Sequence, residues 1–219
     1  MIPQKLAEVP HAEWLTDHDG VWSPDGDHDT VLFQGLDLSG VQAGGSRFME
    51  CAFTGVSLEG GGLRAARFLD VWAHELRFVG TDLTETEWQD AALIGSILAG
   101  TRAPGARLAR VVFQGCKLDS VNFRDATLTD VTFRDCLLRD VDFGAARLTR
   151  TCFPGSRLDK TVLAGATLDQ VDLRGADHLG ITVDPRTIRG AIVSPAQLLD
   201  LAPLLADALG ITVEEPPVA

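Results

Sequence analysis

The side chains of this chain that could do chemistry form no catalytic or phosphate-binding motif. No combination of Ser, His and acid resembles a nucleophile motif. Gly60, Gly61 and Gly62 lack the Lys and the Ser or Thr that complete a phosphate loop. The cysteines have no zinc-type spacing, so we interpret them as packed, reduced thiols. We therefore predict a protein that is not an enzyme, with no cofactor and no metal. The histidines and cysteines considered for such motifs are His11, His18, His28, His74, His178, Cys51, Cys116, Cys136 and Cys152.

Alternating acids near the N-terminus are the best metal candidate. Asp25, Asp27 and Asp29 follow each other as at the start of a calcium loop. The EF-hand pattern needs Gly where Thr30 stands and Glu where Leu36 stands. A solvated acidic loop is therefore the preferred interpretation, and a metal-responsive cap is the weaker alternative.

A repeat of five residues runs from Val31 to Gly175 without an insertion or a deletion. Counting from Phe33, every fifth residue up to Leu173 gives 29 central positions, of which 26 are Leu, Phe or Trp. All 10 phenylalanines of the chain fall on this register. The place two residues earlier is small, and the other places are mostly polar or Gly. The three central exceptions are Ala43, Ala73 and Ala103.

This period excludes an ordinary helix or a flat strand. A step of five advances a helix by a net angle of about 140°, which spreads the large residues around it. In a flat strand, the same step places alternate large residues on opposite faces. Only a chain that turns a corner about every five residues can point all of them toward one axis, so the sequence predicts a solenoid.

The pattern resembles the pentapeptide repeat family, whose motif reads A(D/N)LXX. The resemblance implies an all-β, right-handed quadrilateral β-helix with four pentapeptides per coil and about 7–8 coils. We expect an N-terminal cap over residues 1–30, the β-helix over 31–193, and a C-terminal helical segment with its tail over 194–219. The expected core includes the central residues of the most regular part, namely Phe113, Leu118, Phe123, Leu128, Phe133, Leu138 and Phe143.

Net charge is −12, and it is concentrated at the two ends of the chain. Residues 1–30 carry −6, residues 31–175 carry −2 and residues 176–219 carry −4. Direct nucleic-acid binding is disfavoured, because it needs clustered Lys and Arg. The sequence has no apolar run of about 18 residues and no secretory signal, so we expect no membrane contact and a cytoplasmic location.

The segments outside the repeat are expected to close the ends of the solenoid. An open end exposes apolar side chains and unpaired backbone groups. At the C-terminus, Ser194, Pro195 and Gln197 form a helix start of the capping-box kind. Pro203 should kink this helix or split it, and Gly210 is a plausible end. The expected N-terminal plug is Trp14, Leu15, Val21 and Trp22. Within the repeat, we expect Trp72 to be a surface contact and Trp88 to bulge its coil.

Residues 20 apart stack in ladders if each coil takes four pentapeptides. One ladder contains the acids Glu50, Asp70, Asp90 and Asp130, with Arg110 and Arg150 between and after them. Like charges at the coil spacing of about 4.8 Å repel, so stability alone does not select them. The alternatives are ordinary solvated charges that pair across ladders, or an acidic stripe that meets a basic groove of a partner protein.

The rod and its tail resemble the Qnr and MfpA-type branch of the family. The tail in question is Leu204 to Val213, which ends Leu-Gly-Ile-Thr-Val. The resemblance implies a homodimer and a DNA-like rod that binds DNA gyrase or topoisomerase IV and protects against quinolones. The alternative is a scaffold that binds another protein. The implied dimer interface is Leu198, Leu201, Leu205, Leu209 and Ile211.

Overall fold

The computed structural model describes residues 3–18, 21–184 and 187–214. Within these ranges, the chain winds into a solenoid in which nearly all strand pairs join residues 20 apart, as Phe113 lies beside Phe133. Every strand pair is parallel, and one face contains eight strands. The predicted quadrilateral β-helix of about eight coils is therefore confirmed.

The solenoid has four faces, which we number in the order in which the chain visits them. Face 1 consists of Asp27–Asp29, Arg47–Met49, Arg67–Leu69, Glu87–Gln89, Arg107–Ala109, Thr127–Thr129, Arg147–Thr149 and Thr167–Asp169. Face 2 consists of Thr16–Asp17, Val31–Gln34, Ala52–Thr54, Trp72–His74, Ala92–Ile94, Val112–Gln114 and Thr132–Arg134, with the separate pair Val171–Asp172 and Ala191–Ile192.

The other two faces complete each coil. Face 3 consists of Ser57–Glu59, Arg77–Val79, Ile97–Ala99, Lys117–Asp119, Leu137–Arg139, Arg157–Val162 and His178–Thr182. Face 4 is held by single parallel bridges at Gln42, Gly62, Asp82, Arg102, Asn122, Asp142 and Val162.

The backbone turns each corner through a residue with positive φ, two places after the central residue. Asp70 (φ 52°) and Asp90 (φ 54°) are examples. Among the described residues with positive φ, every one except Gly61 has a number divisible by five. Gly adopts this conformation freely and Asp more readily than most residues, whereas other side chains lose about 1–2 kcal/mol. The corner N–H groups stay bonded, because Asp70 N donates to Gln89 O of the next coil at 3.0 Å.

The central side chains stack in columns along the axis. Phe113, Phe133 and Phe153 form one column with ring centroids 4.8 and 5.1 Å apart. The small inward residues lie two places earlier, and Ser156 is an example whose Oγ donates to Phe133 O of the preceding coil at 2.8 Å. The seven expected core residues are at most 3% exposed; they are Phe113, Leu118, Phe123, Leu128, Phe133, Leu138 and Phe143.

Trp88 fits the core because two of the central exceptions are small. The indole stacks on Phe68 with centroids 3.8 Å apart, and the strand of Trp88 pairs without a register shift. The predicted bulge at Trp88 is therefore wrong. Ala73 and Ala103 line the internal spaces on either side of the indole, so their missing volume accommodates the largest central side chain.

Only part of the expected N-terminal plug covers the end of the solenoid. Trp22 is buried against Phe33 and Phe48, with centroid distances of 5.3 and 5.0 Å. His28 occupies a central place and stacks on Phe48 at 4.9 Å, so solenoid pairing begins before Val31. The predictions for Trp14 and Val21 are wrong, because these side chains are 66% and 70% exposed.

A 14-residue helix, α1 (Pro195–Ala208), packs at the C-terminal end. Ser194 and Gln197 form the predicted capping box, and Gln197 Nε2 also donates to Leu173 O at 2.7 Å. This bond ties the start of α1 to the end of the core. Pro203 lies inside the helix without splitting it, and Gly210 (φ 68°) follows its end. No helix in the described ranges is long and apolar enough to cross a membrane.

Phe133→Ala should lower the free energy of unfolding by about 3–5 kcal/mol, because it removes a fully buried ring and leaves a cavity. The neighbouring Arg134 is exposed, so Arg134→Ala is the matched control and should change stability by at most about 0.5 kcal/mol. Urea unfolding followed by circular dichroism measures both. Equal effects of the two substitutions would contradict the inward placement of the central residue.

Ala103→Leu should destabilise the chain by about 1–3 kcal/mol, because the internal space that Ala103 and Trp88 both line is too small for a leucine side chain. Combining it with Trp88→Leu should recover part of this loss, since Leu would then fill the space that the indole vacates. A double-mutant cycle in urea measures the coupling. Strict additivity of the two changes would show that their volumes are independent.

Candidate partner-binding groove

The N-terminal segment lies on the outside of face 2 and covers Trp72. It contains the 3₁₀ turns Leu6–Glu8 and Ala12–Trp14. Trp72 is 4% exposed, packs with Val9, and donates its Nε1 hydrogen to Pro3 O at 2.9 Å. The prediction that Trp72 is a surface contact is therefore wrong, because this segment shields it from solvent.

A groove of about 440 Å³ separates this segment from the corner between faces 1 and 2. The corner contributes three acids from successive coils, one above the other at about 4.8 Å per coil. The segment contributes a further acid, an imidazole and an indole. The residues that line the groove include Glu50, Asp70 and Asp90 from the corner and Glu8, His11 and Trp14 from the segment.

The groove brings together three of the four acids that the sequence suggested for partner binding. Glu50, Asp70 and Asp90 line it, whereas Asp130 lies two coils beyond Asp90, outside the groove. These positions are corner residues with positive φ, so their side chains project from an edge of the rod.

Arginine side chains neutralise the later members of this acidic ladder. Arg110 Nη2 donates to Asp90 Oδ2 at 2.7 Å, and Arg150 Nη2 donates to Asp130 Oδ2 at 2.8 Å. Hydrogen bonds from these guanidinium groups hold the pKa of Asp90 and that of Asp130 below their usual range. Such exposed pairs stabilise a protein by only about 0–1 kcal/mol, but they remove the negative charge from this part of the ladder.

The first two acids of the ladder differ from these later members. Within the described part of the chain, neither Glu50 nor Asp70 forms an ion pair with a basic side chain. Glu8 adds a third carboxylate, which accepts a hydrogen bond from Gln4 N at 2.8 Å. The groove therefore concentrates negative charge that the rest of the rod does not compensate.

His11 lies in this acidic groove with an unsatisfied ring nitrogen. The residue is 8% exposed, and its buried Nε2 has no hydrogen-bond partner. Burial lowers the pKa of His11 below its ordinary 6.5, while the charges of Glu50 and Asp70 act in the opposite direction. The imidazole is therefore neutral at pH 7 and leaves the carboxylates uncompensated.

The groove is suited to a positively charged organic group. Carboxylates attract a cation, and the 66% exposed indole of Trp14 offers a face for a cation–π contact. Among the described residues, no group of three or more His, Cys, Asp or Glu side chains is arranged to hold a metal ion. In the suggested calcium loop, Asp27 instead accepts hydrogen bonds from Arg47 at 2.8 and 2.9 Å.

The residues suggested for a dimer interface differ in exposure. Leu198, Leu209 and Ile211 are 49%, 75% and 56% exposed, whereas Leu201 is buried against its own chain and Leu205 is half-buried. Two further exposed apolar residues, Leu199 and Val213, were missed by the helical spacing used to choose the set. An apolar patch therefore surrounds the exposed side and the end of α1.

Sequence reasoning missed Glu8, His11 and Trp14 as parts of the groove. One signal was available, since a large apolar residue such as Trp72 at an outward place of the repeat indicates that something covers it. The non-repetitive segment gave no period from which its course over face 2 could be predicted.

Lowering the pH should loosen the N-terminal segment. The unfolded chain binds a proton at His11 more readily than the folded chain, so stability from the buried neutral imidazole is present above pH 6.5 and decreases below it. An NMR titration of the His11 ring should give a midpoint below 6.5. Glu50→Gln with Asp70→Asn should lower this midpoint further, since both carboxylates favour the imidazolium. A midpoint at or above 6.5 in the unaltered chain would contradict the burial of this residue.

Comparison with known proteins yields one family match and several distant structures. A family model described as pentapeptide repeat region matches residues 86–163. No curated protein matches the chain significantly. HetL of Nostoc sp. strain PCC 7120, described as involved in heterocyst differentiation regulation, is 19% identical, with 75% of this chain and 90% of HetL covered and a TM-score of 0.30.

Two other solved structures are similarly distant. Full-length QnrB1, a plasmid-mediated fluoroquinolone resistance protein, is 18% identical, with 85% of this chain and 100% of QnrB1 covered and a TM-score of 0.27. A pentapeptide repeat protein of the Arabidopsis thaliana thylakoid lumen is 17% identical, with coverages of 61% and 83% and a TM-score of 0.26. These values support no inference about a partner. The family match identifies residues 86–163 as a pentapeptide repeat region, and the five-residue register of the solenoid continues on both sides of it.

Proposed function

We propose that this chain is a non-enzymatic, DNA-mimicking protein that binds DNA gyrase or topoisomerase IV and protects it against poisons such as quinolones. The observation that carries the proposal is the stack of uncompensated acids at one corner of the rod, formed by Glu50 and Asp70 beside Asp90. A basic groove that normally holds DNA would recognise such a stack by its charge.

The distribution of charge along the rod supports a contact through its N-terminal half. Residues 1–104 carry a net charge of −10, whereas residues 105–160 carry +3. The coils of this part, residues 27–104, carry −6 and span roughly 19 Å at about 4.8 Å per coil. This amounts to one net negative charge per about 3 Å, compared with about 1.7 Å for duplex DNA. The net charge averaged over the whole repeat is much lower, because the two halves of the rod have opposite signs.

Within the acidic ladder, the proposal depends on its first members. Asp130 belongs to the part of the rod with net positive charge, and Arg150 pairs with it. The proposed contact therefore consists of Glu50 and Asp70, to which the N-terminal segment adds Glu8.

The exposed apolar patch at the C-terminal end is the proposed homodimer interface. Leu198, Leu209 and Ile211 expose apolar surface that a second copy would cover, and joining two rods end to end would double their length. Leu201 supports the patch from inside, because it is buried in its own chain.

Glu50→Gln with Asp70→Asn should weaken gyrase binding at least about tenfold, because each substitution leaves a basic group of the partner without its counter-charge. A supercoiling assay with and without a quinolone measures inhibition and protection. Asp125→Asn with Asp135→Asn is the matched control, since both acids are exposed corner residues in the other half of the rod. Absence of inhibition and of drug rescue at micromolar unaltered protein would reject the proposal and favour a scaffold for another protein.

Leu198→Asp with Leu209→Asp should convert a dimer into a monomer, because the charges would have to be buried in the interface. Light scattering should then report the chain mass of 23.5 kDa instead of twice that value. Asp200→Asn on the same helix is the control and should leave the dimer intact. An unchanged mass of the double variant, with unchanged circular dichroism, would place the interface elsewhere.

A further inference from the structure

The N-terminal segment, residues 3–15, is held on face 2 by side chains and not by a backbone ladder. Within the described ranges, each of its backbone–backbone hydrogen bonds joins two residues of the segment itself, as Val9 N donates to Leu6 O at 3.0 Å. The first backbone bond to the solenoid comes afterwards, from Thr16 N to Thr30 O at 3.0 Å. Successive coils of the rod, in contrast, are joined by backbone bonds along their faces. The segment is therefore bound in the manner of a ligand and does not form a further coil.

Three contacts of different chemistry attach the segment to the rod. Trp72 Nε1 donates its hydrogen to Pro3 O at 2.9 Å. The side-chain amides of Gln4 and Gln114 bond each other reciprocally, at 3.0 and 3.2 Å. Val9 is 5% exposed and packs in the same apolar cluster as the Trp72 indole. A backbone carbonyl, a primary amide and an aliphatic side chain are groups that any short peptide can offer.

The rod presents an apolar surface under the segment. On face 2, the outward places before the central residues form the ladder Leu32, Ala52, Trp72, Ala92 and Val112. The corresponding ladder of face 1 is charged and contains Arg47, Arg67, Glu87 and Arg107. Outward places of a solenoid face normally meet water, so a continuous apolar ladder indicates a surface that polypeptide covers.

The segment covers this surface incompletely. The groove of about 440 Å³ borders it toward the corner of Glu50, and a second groove, of about 330 Å³, borders it toward His74. Two buried polar atoms in this region, His11 Nε2 and Thr54 Oγ1, have no hydrogen-bond partner. Buried polar atoms are nearly always paired, so the contact between segment and rod is imperfect. Parts of a protein with few buried contacts open at a lower free energy than its core.

We infer that face 2 around Trp72 is a peptide-binding surface, and that the N-terminal segment occupies it as a ligand of the same chain that can leave without unfolding of the rod. The inference goes beyond the proposed function, because it concerns a different face and a different partner. That partner is a polypeptide segment with an aliphatic side chain for the indole, a backbone carbonyl for Trp72 Nε1 and a primary amide for Gln114. A main-chain hydrogen bond together with anchoring side chains is how extended peptides are recognised.

Hydrogen exchange measured by NMR on the full-length chain tests whether the segment leaves by itself. The Trp72 indole N–H should exchange together with the amides of Val9 and Ala12, at least about a hundredfold faster than the core amide of Phe133. The exchange of this group should depend only weakly on urea, because a local opening exposes little surface. Exchange of the indole at the rate of Phe133 would show that segment and rod open only together, and would overturn the inference.

A synthetic peptide with the sequence of residues 3–15, acetylated, amidated and carrying a fluorophore, tests the surface itself. In the unaltered chain the segment competes at an effective concentration of about millimolar, so the peptide should bind weakly. Val9→Asp places a charge against the indole and frees the surface, so fluorescence anisotropy should show an affinity at least about tenfold higher. Ala7→Asp is the matched control, since Ala7 is exposed on the same segment, and should leave the affinity unchanged.

Binding to the Val9→Asp chain should also shift the Trp72 indole resonance and slow its exchange again. The same peptide with Val9→Asp should not bind, because it lacks the aliphatic anchor. Equal binding of the two peptides, or no gain of affinity in the Val9→Asp chain, would overturn the inference. Unfolding of the rod by Val9→Asp would overturn it as well, since the segment would then belong to the core. These assays contain no gyrase, so their failure is independent of the proposed function.

Discussion

Left-handed backbone at every fifth residue is the constraint on which the rest of this structure depends. It lets short extended segments close a coil of 20 residues and point every central side chain at the axis. It also selects the residues displayed along the corners, because Gly and Asp tolerate positive φ better than most others. The recurrence of Asp70, Asp90 and Asp130 at one corner therefore has a conformational reason as well as a functional one. Glu50 also has positive φ (52°) but lacks the conformational advantage of Asp. Its presence therefore indicates more strongly than that of the aspartates that a negative charge has a role at this corner.

Packing inside the rod tolerates variation only where neighbouring coils compensate. Trp88 adds volume to its column, and Ala73 and Ala103 remove volume from the adjoining spaces. Interiors are close-packed, so such departures from a repeat come in matched sets. Surface positions are less constrained than core positions, because an exposed arginine can pair with the acid of either adjacent coil. Arg110 lies between two acids of its ladder and pairs with Asp90 in the preceding coil.

The sequence was sufficient for the features that follow from period and local chemistry. The register of the phenylalanines predicted the coil and the core, and Ser194 with Gln197 predicted the start of α1. It was insufficient where distant segments meet without a period. Nothing local indicates that residues 3–15 pack over Trp72, and the groove with His11 exists only because they do. The helical spacing also could not show that Leu201 faces its own chain.

We propose that the N-terminal, acidic half of the rod is the contact surface and that the N-terminal segment completes it. Hydrogen exchange measured by mass spectrometry on the chain alone and in its complex with gyrase tests this claim most directly. We expect exchange to slow in residues 3–17 and in the peptides that contain Glu50, Asp70 and Asp90. Slowing confined to residues 105–160, with no change in the acidic half, would contradict the account.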